Sequence, residues 1–139
     1  MRPLEESFAA ELAMLEEQAR DDLALAAGPD VTITNVTDIF GMLVVAGPKS
    51  REVLASLTGS DMSNGAFRWL SAQEILLAGI PVRALRVTYV GELGWELHCP
   101  IGDLGTVYDA LMAADPGLRP VGYRALESLR LEKGYPAWG

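Results

Sequence analysis

One cysteine, Cys99, and one histidine, His98, are the chain's only thiol and imidazole. A single thiol excludes an intrachain disulfide, and with one imidazole beside it in the sequence no metal cage is expected. Long apolar runs are missing too. Hydrophobic residues make up 50% of the chain, yet no stretch approaches the roughly 18 to 20 residues that a bilayer crossing needs, so no membrane partner is expected. Positive charge is scarce, with 11 Lys and Arg against 19 Asp and Glu for a net charge of −8. No basic stripe awaits a polyanion, which argues against nucleic acid as a partner. Nor does the N-terminus show a secretory pattern, because Glu5, Glu6, Glu11, Glu16 and Glu17 stand where its apolar stretch would lie. These absences lead to the expectation of a soluble, cytoplasmic protein in which Cys99 is a small hydrophobe on a strand.

At 139 residues the chain is long enough for one domain with one core. Its acidity is unevenly spread. Residues 1–30 hold eight acids against Arg2 and Arg20, a net −6, which leaves only −2 for the rest. Leu4, Phe8, Leu12, Leu15, Ala19 and Leu23 recur every three or four residues, so residues 1–30 read as an acidic amphipathic helix and linker ending at Gly28-Pro29. Its apolar stripe is expected to cover the chain's own sheet or a neighbouring domain. A membrane-surface helix is not expected, since an acidic polar face is repelled by anionic lipid.

Residues 31–139 read as the domain proper. Val31 to Thr34 is strand-like, and the apolar run Gly41 to Ala46 suggests a central strand buried on both faces. Gly47-Pro48 opens a helix whose inner face is Val53, Leu54 and Leu57, stopped by Gly59. The turn is not a phosphate loop, because GPKS lacks the required spacing. Phe67 and Trp69 are expected to anchor the loop 59–71. Two strands follow, Glu74 to Ala78 and Val82 to Val90, the second with a bulge near Leu85. Gly94 to Cys99 alternates Trp95, Leu97 and Cys99 with Glu96 and His98, as a half-buried strand does. Helices are expected from Asp103, as N-cap, through Met112 and from Tyr123 to Lys133, closed by Gly134. The sum is an α+β fold, a ferredoxin-like open sandwich with a mainly antiparallel sheet and helices on one face, plus the N-terminal amphipathic helix.

Two places could carry chemistry. Glu92 sits in a turn flanked by Gly91 and Gly94, which let the backbone approach a ligand closely. Its two acceptor oxygens could pair with two parallel N–H donors, such as the amino-pyrimidinone edge of a pterin, or it could be an exposed hairpin glutamate. On the last helix Arg124, Glu127 and Arg130 lie three apart, so Glu127 can bridge both arginines. Arg124 could clamp a ligand carboxylate, or the trio could be a surface ion-pair ladder.

The stretch YVGELGWEL, residues 89–97, resembles the Y-T-G-E-x-G-x-E-L stretch of the aminomethyltransferase folate-binding family, which includes the glycine-cleavage T-protein. ALESLRLEKG is similar to that family's A-R-D-x-L-R-L-E-x-G helix, and LVVAGPKSREVL to its L-x-x-x-G-P-x-S-R-x-V-L segment. The wording of ELGWELH and YRALESLRLEKGYPAWG resembles most the dimethylglycine and sarcosine dehydrogenase branch.

The resemblance implies a tetrahydrofolate-binding domain in an enzyme that moves a one-carbon unit from an amine to the folate. It implies that Glu92 binds the pterin, that Arg124 helps form the folate site, and that Tyr89 borders the ring. The family's Ala-Arg-Asp is Tyr123-Arg124-Ala125 here. Only the middle portion of the family is covered, so no catalytic residue is expected in this chain and the isolated chain is predicted to be inactive. Its partners would be the folate, an amine-derived one-carbon donor and flanking domains of the same parent. A non-catalytic regulatory module sharing the domain is the alternative. The related iron–sulfur assembly factor is disfavoured, because its Lys-Gly-Cys-Tyr element reads Lys133-Gly134-Tyr135 here, without the cysteine.

Overall fold

The computed structural model describes the backbone of residues 4–136 and the side chains of residues 13–136. It divides into two units, Met1–Thr37 and Asp38–Gly139. The first contains helix α1 (Leu4–Ala27), formed where the periodicity predicts it. Of the expected stripe, Leu15 and Leu23 are exposed, whereas the side chains of Leu4, Phe8 and Leu12 lie outside the described residues. Gly28 ends the helix at φ +79°, a left-handed conformation that glycine adopts without steric cost. Val31 to Thr34 does not become a strand. The β-branched residues there find no ladder partner, and strand propensity alone does not hold an unpaired segment extended.

The second unit is a four-stranded open sheet built from β1 (Phe40–Ala46), β2 (Ala72–Leu77), β3 (Ile80–Leu85) and β4 (Gly94–Pro100). The spatial order is β1-β4-β3-β2, and every neighbouring pair is antiparallel. Helix α2 (Ser50–Leu57) follows β1, and α3 (Leu104–Ala114) follows β4 through a 3-10 turn at Ile101–Asp103. Val53, Leu54, Val107 and Leu111 from these helices bury against Val45, Leu77, Val82, Ala84, Trp95, Leu97 and Cys99. The open α+β sandwich expected from the sequence is therefore present. Asp103 does occupy the N-cap of α3, but its side chain makes no capping bond.

Two strands differ from expectation, each for a physical reason. Helices α2 and α3 cover one face of the sheet, so the apolar run of β1, an edge strand, is buried on that face only: Val45 is 6% exposed, Met42 48% and Val44 41%. β3 stops at Leu85 instead of continuing to Val90 through a bulge. Beyond it, Arg86 N–H donates to the Ser71 carbonyl and Leu70 N–H donates to the Arg86 carbonyl. These bonds draw the chain toward loop 58–71 and away from β4, so residues 86–93 form an irregular excursion in place of a tight hairpin.

Trp95 on β4 organises the centre. It is fully buried, with Phe67 edge-on at 6.1 Å between ring centroids. The guanidinium groups of Arg51 and Arg86 lie 5.3 and 5.7 Å from its ring centroid, inside cation–π range. Both arginines also hold the loop: Arg51 donates to the Met62 carbonyl and to Asn64 Oδ1, and Arg86 donates to the Phe67 carbonyl. Burial, and secondarily the charge of Arg51, pulls the Arg86 pKa below the usual arginine range. Of the two expected loop anchors only Phe67 serves, because Trp69 is 67% exposed. Trp95→Ala removes the shared surface of loop, sheet and both arginines. It should lower unfolding stability by about 3–5 kcal/mol in urea titration.

Candidate functional site

A cavity of about 570 Å³ is bounded by five pieces of the second unit. Leu43 to Gly47 of β1 and its following turn form one wall, and Tyr108, Leu111 and Met112 of α3 another. Residues 118–121 and helix α4 (Tyr123–Glu132) continue the rim through Val121, Tyr123, Leu126 and Leu129, and Val90 and Glu92 close it. The walls are largely aliphatic and aromatic. Glu92 and Arg119 are the charged residues among them.

Glu92 is held from both sides. On its C-terminal side, the Gly47 N–H donates to the Leu93 carbonyl at 2.7 Å and the Ser50 hydroxyl donates to the same oxygen at 3.1 Å. Ser50, 3% exposed, also donates to the Gly47 carbonyl. The glycine and serine of the GPKS turn thus fix the carbonyl next to Glu92. On the N-terminal side, Gly91 has φ +72° and lies under the side chain of Lys133. A Cβ at position 91 would come within 2.6 Å of Lys133 Cγ and 3.0 Å of its Cβ, so glycine is required twice over. Lys133, the C-cap of α4, then reaches Glu92 Oε1 at 2.8 Å.

A second tie joins the same loop to α4. The Tyr89 hydroxyl donates to Glu127 Oε1 at 2.7 Å, while Arg130 Nη2 donates to Glu127 Oε2 at 2.8 Å. Arg130 is buried, donates also to the Tyr135 carbonyl, and stands 5.6 Å from the Tyr89 ring centroid. Hydrogen bonds from Arg130 first and Tyr89 second hold the Glu127 carboxyl below the usual glutamate range. The bond to Glu127 pushes the Tyr89 phenol up.

The three residues expected at the site therefore separate. Glu92 lines the cavity. Tyr89 does not; it holds α4 through Glu127. Arg124 is exposed on the first turn of α4, outside the lining, and Glu127 bridges Arg130 alone, not both arginines. Three contributors escaped the sequence: Arg119, Lys133 as partner of Glu92, and Ser50. Arg119 donates from Nη1 to the Pro116 and Leu118 carbonyls at 2.6 and 2.9 Å, and no ion pair among the described residues involves it. No periodicity marks such residues, since Lys133 and Glu92 meet only through tertiary packing.

Lys133's ammonium is raised above the ordinary lysine range, chiefly by its hydrogen bond to Glu92. A raised folded value means that the pair's contribution to stability is complete below the unfolded pKa of about 10.4 and is lost as pH rises through the folded one. Glu92→Gln should return the Lys133 titration toward that ordinary value, followed through its side-chain ¹³Cε shift.

Known proteins resemble this chain in sequence and in fold. It is 46% identical to mouse dimethylglycine dehydrogenase over 121 residues, which is 86% of this chain and 14% of the relative. It is 49% identical to mouse sarcosine dehydrogenase over 101 residues, 71% of this chain and 11% of the relative. The chain thus spans between about a ninth and a seventh of the length of these two curated relatives. A heterotetrameric sarcosine oxidase from Corynebacterium sp. U-96, solved with pyrrole 2-carboxylate, superposes with a TM-score of 0.63 at 23% identity. The superposition covers 74% of this chain and 53% of that one, a likeness of fold.

The expected cytoplasmic location is corrected by these relatives, because the mouse and human dehydrogenases are named as mitochondrial. A lone free thiol and a non-secretory composition suit any reducing compartment, so they could not have singled out the cytoplasm. The segments that resemble aminomethyltransferases are the ones that build the Glu92 turn, its GPKS brace and α4. The matching family, described as the GCVT N-terminal domain, extends over residues 6–139, and the chain belongs to it.

Proposed function

We propose that the cavity receives the pterin end of tetrahydrofolate and that the chain forms part of a folate-dependent one-carbon transfer enzyme. The observation that carries this reading is Glu92, a carboxylate on the rim of a mainly apolar cavity with only one oxygen taken by Lys133. An ionised carboxylate has about four acceptor positions. The remaining ones suit the ring N–H and amino group of a pterin edge, while aliphatic and aromatic walls suit the faces of a flat heterocycle.

Arg119 is assigned to the anionic portion of the ligand, because it lines the same cavity and keeps donors beyond the two carbonyls it already serves. Arg124, exposed at the start of α4, is assigned to ligand that extends past the rim. Tyr89 acts one step back, by holding α4.

Folate supplies the nitrogen that accepts the one-carbon unit; this chain's residues bind and orient it, which is where much of the rate gain in a two-substrate reaction arises. The two charged residues that line the cavity, Glu92 and Arg119, are both assigned to binding. Acid–base catalysis is therefore assigned to other parts of the intact polypeptide, and the isolated chain should bind without turnover. The amine donor follows the relatives, which are named dimethylglycine and sarcosine dehydrogenases.

Isothermal titration of tetrahydrofolate into the intact polypeptide carrying this chain tests the reading. Glu92→Gln should weaken binding by about ten- to a hundredfold, the range for hydrogen bonds to a charged group. Equal binding by wild type and variant would exclude Glu92 from the site.

A further inference from the structure

Lys133 occupies part of the very carboxylate to which the reading above assigns a ligand, and although exposed its side chain is placed by contacts along its length. Its backbone N–H is engaged at the end of α4, within 3.2 Å of the Arg130 carbonyl and 3.4 Å of the Leu129 carbonyl. Its stem lies over Gly91, filling space that any larger residue at 91 would take. From there Nζ meets Oε1 of Glu92, and both side chains remain 44% exposed, open to an incoming group. Free glutamate side chains sample many rotamers, so tethering one oxygen removes conformations before a ligand arrives.

We propose that Lys133 is a positioning residue for the binding site, one that acts through Glu92: it holds one carboxylate oxygen and leaves the other directed to the ligand. The proposal rests on the reading of Glu92 as a ligand-binding carboxylate. It assigns Lys133 no contact with the ligand and no part in the chemistry. A lysine suits the task because its compact charge takes a single oxygen, whereas a guanidinium fork tends to occupy both.

The test is a double-mutant cycle on tetrahydrofolate binding by the intact polypeptide, with Lys133→Met, Glu92→Gln and the combination. Methionine keeps an unbranched stem on Gly91 and removes the charge. Far-ultraviolet circular dichroism confirms that each variant is folded. Lys133→Met should weaken binding by about three- to tenfold in the wild-type background, within the range of coupled neighbours. It should change little once Glu92 is Gln.

An equal loss in both backgrounds would overturn the proposal, since Lys133 would then act independently of Glu92. Unchanged or tighter binding by Lys133→Met would overturn it as well, the latter by showing that Lys133 competes with the ligand. If Glu92→Gln itself binds like wild type, or wild type does not bind, the reading of the cavity fails and takes this proposal with it. Failure of the positioning role alone is recognised by a Glu92→Gln defect that Lys133→Met does not share.

Discussion

Gly91 and Lys133 share a space that would not hold one more methyl group, and the cavity depends on that contact. The left-handed backbone at Gly91 brings residues 86–93 close enough to α4 for Lys133 to lie flat across them. From this approach follow the Glu92–Lys133 pair on one side and the Tyr89–Glu127–Arg130 cluster on the other. Each polar contact alone is modest, as exposed ion pairs are. Together they set where α4 lies, and α4 supplies one wall of the cavity. Gly47 and Ser50 complete the arrangement by grasping Leu93 from the opposite side.

Beneath this loop the fold gives it a rigid base. β4 begins at Gly94, two residues beyond Glu92, and the next residue is the buried Trp95 around which Phe67, Arg51 and Arg86 gather. The mobility expected of an eight-residue excursion is thereby limited at its C-terminal end by core packing and near its N-terminal end by the Arg86 bonds to loop 58–71. Sites held by rigid elements keep their geometry better than sites on free loops.

Much of the scaffold was legible in the residue pattern because burial imposes it. Alternation marked β4, a 3.6-residue period marked α3, and Gly134 marked the end of α4, where it takes φ +71°. That the sheet face carrying Met42 and Val44 is left uncovered was not legible, so both read as buried. The end of β3 was hidden because Arg86 pairs with Ser71, a partner no local spacing reveals. At the site, Glu92 stood out through its flanking glycines, while Arg119 reaches the cavity, and Lys133 reaches Glu92, only by tertiary packing. Arg124 drew attention by spacing along a helix, yet its exposure leaves it outside the lining. Family membership accounts for the fold and its motifs; what the cavity holds is a question of chemistry at these residues.

In the proposed reading Glu92 faces a ligand across a mainly apolar cavity between β1 and α4. A crystal structure of the intact polypeptide with bound tetrahydrofolate tests it most directly. The pterin ring is expected between Leu43–Gly47 and Leu126–Leu129, with its N–H edge within hydrogen-bond distance of Glu92 and Lys133 still on Oε1. A folate bound elsewhere, with this cavity empty or filled by protein side chains, would contradict it.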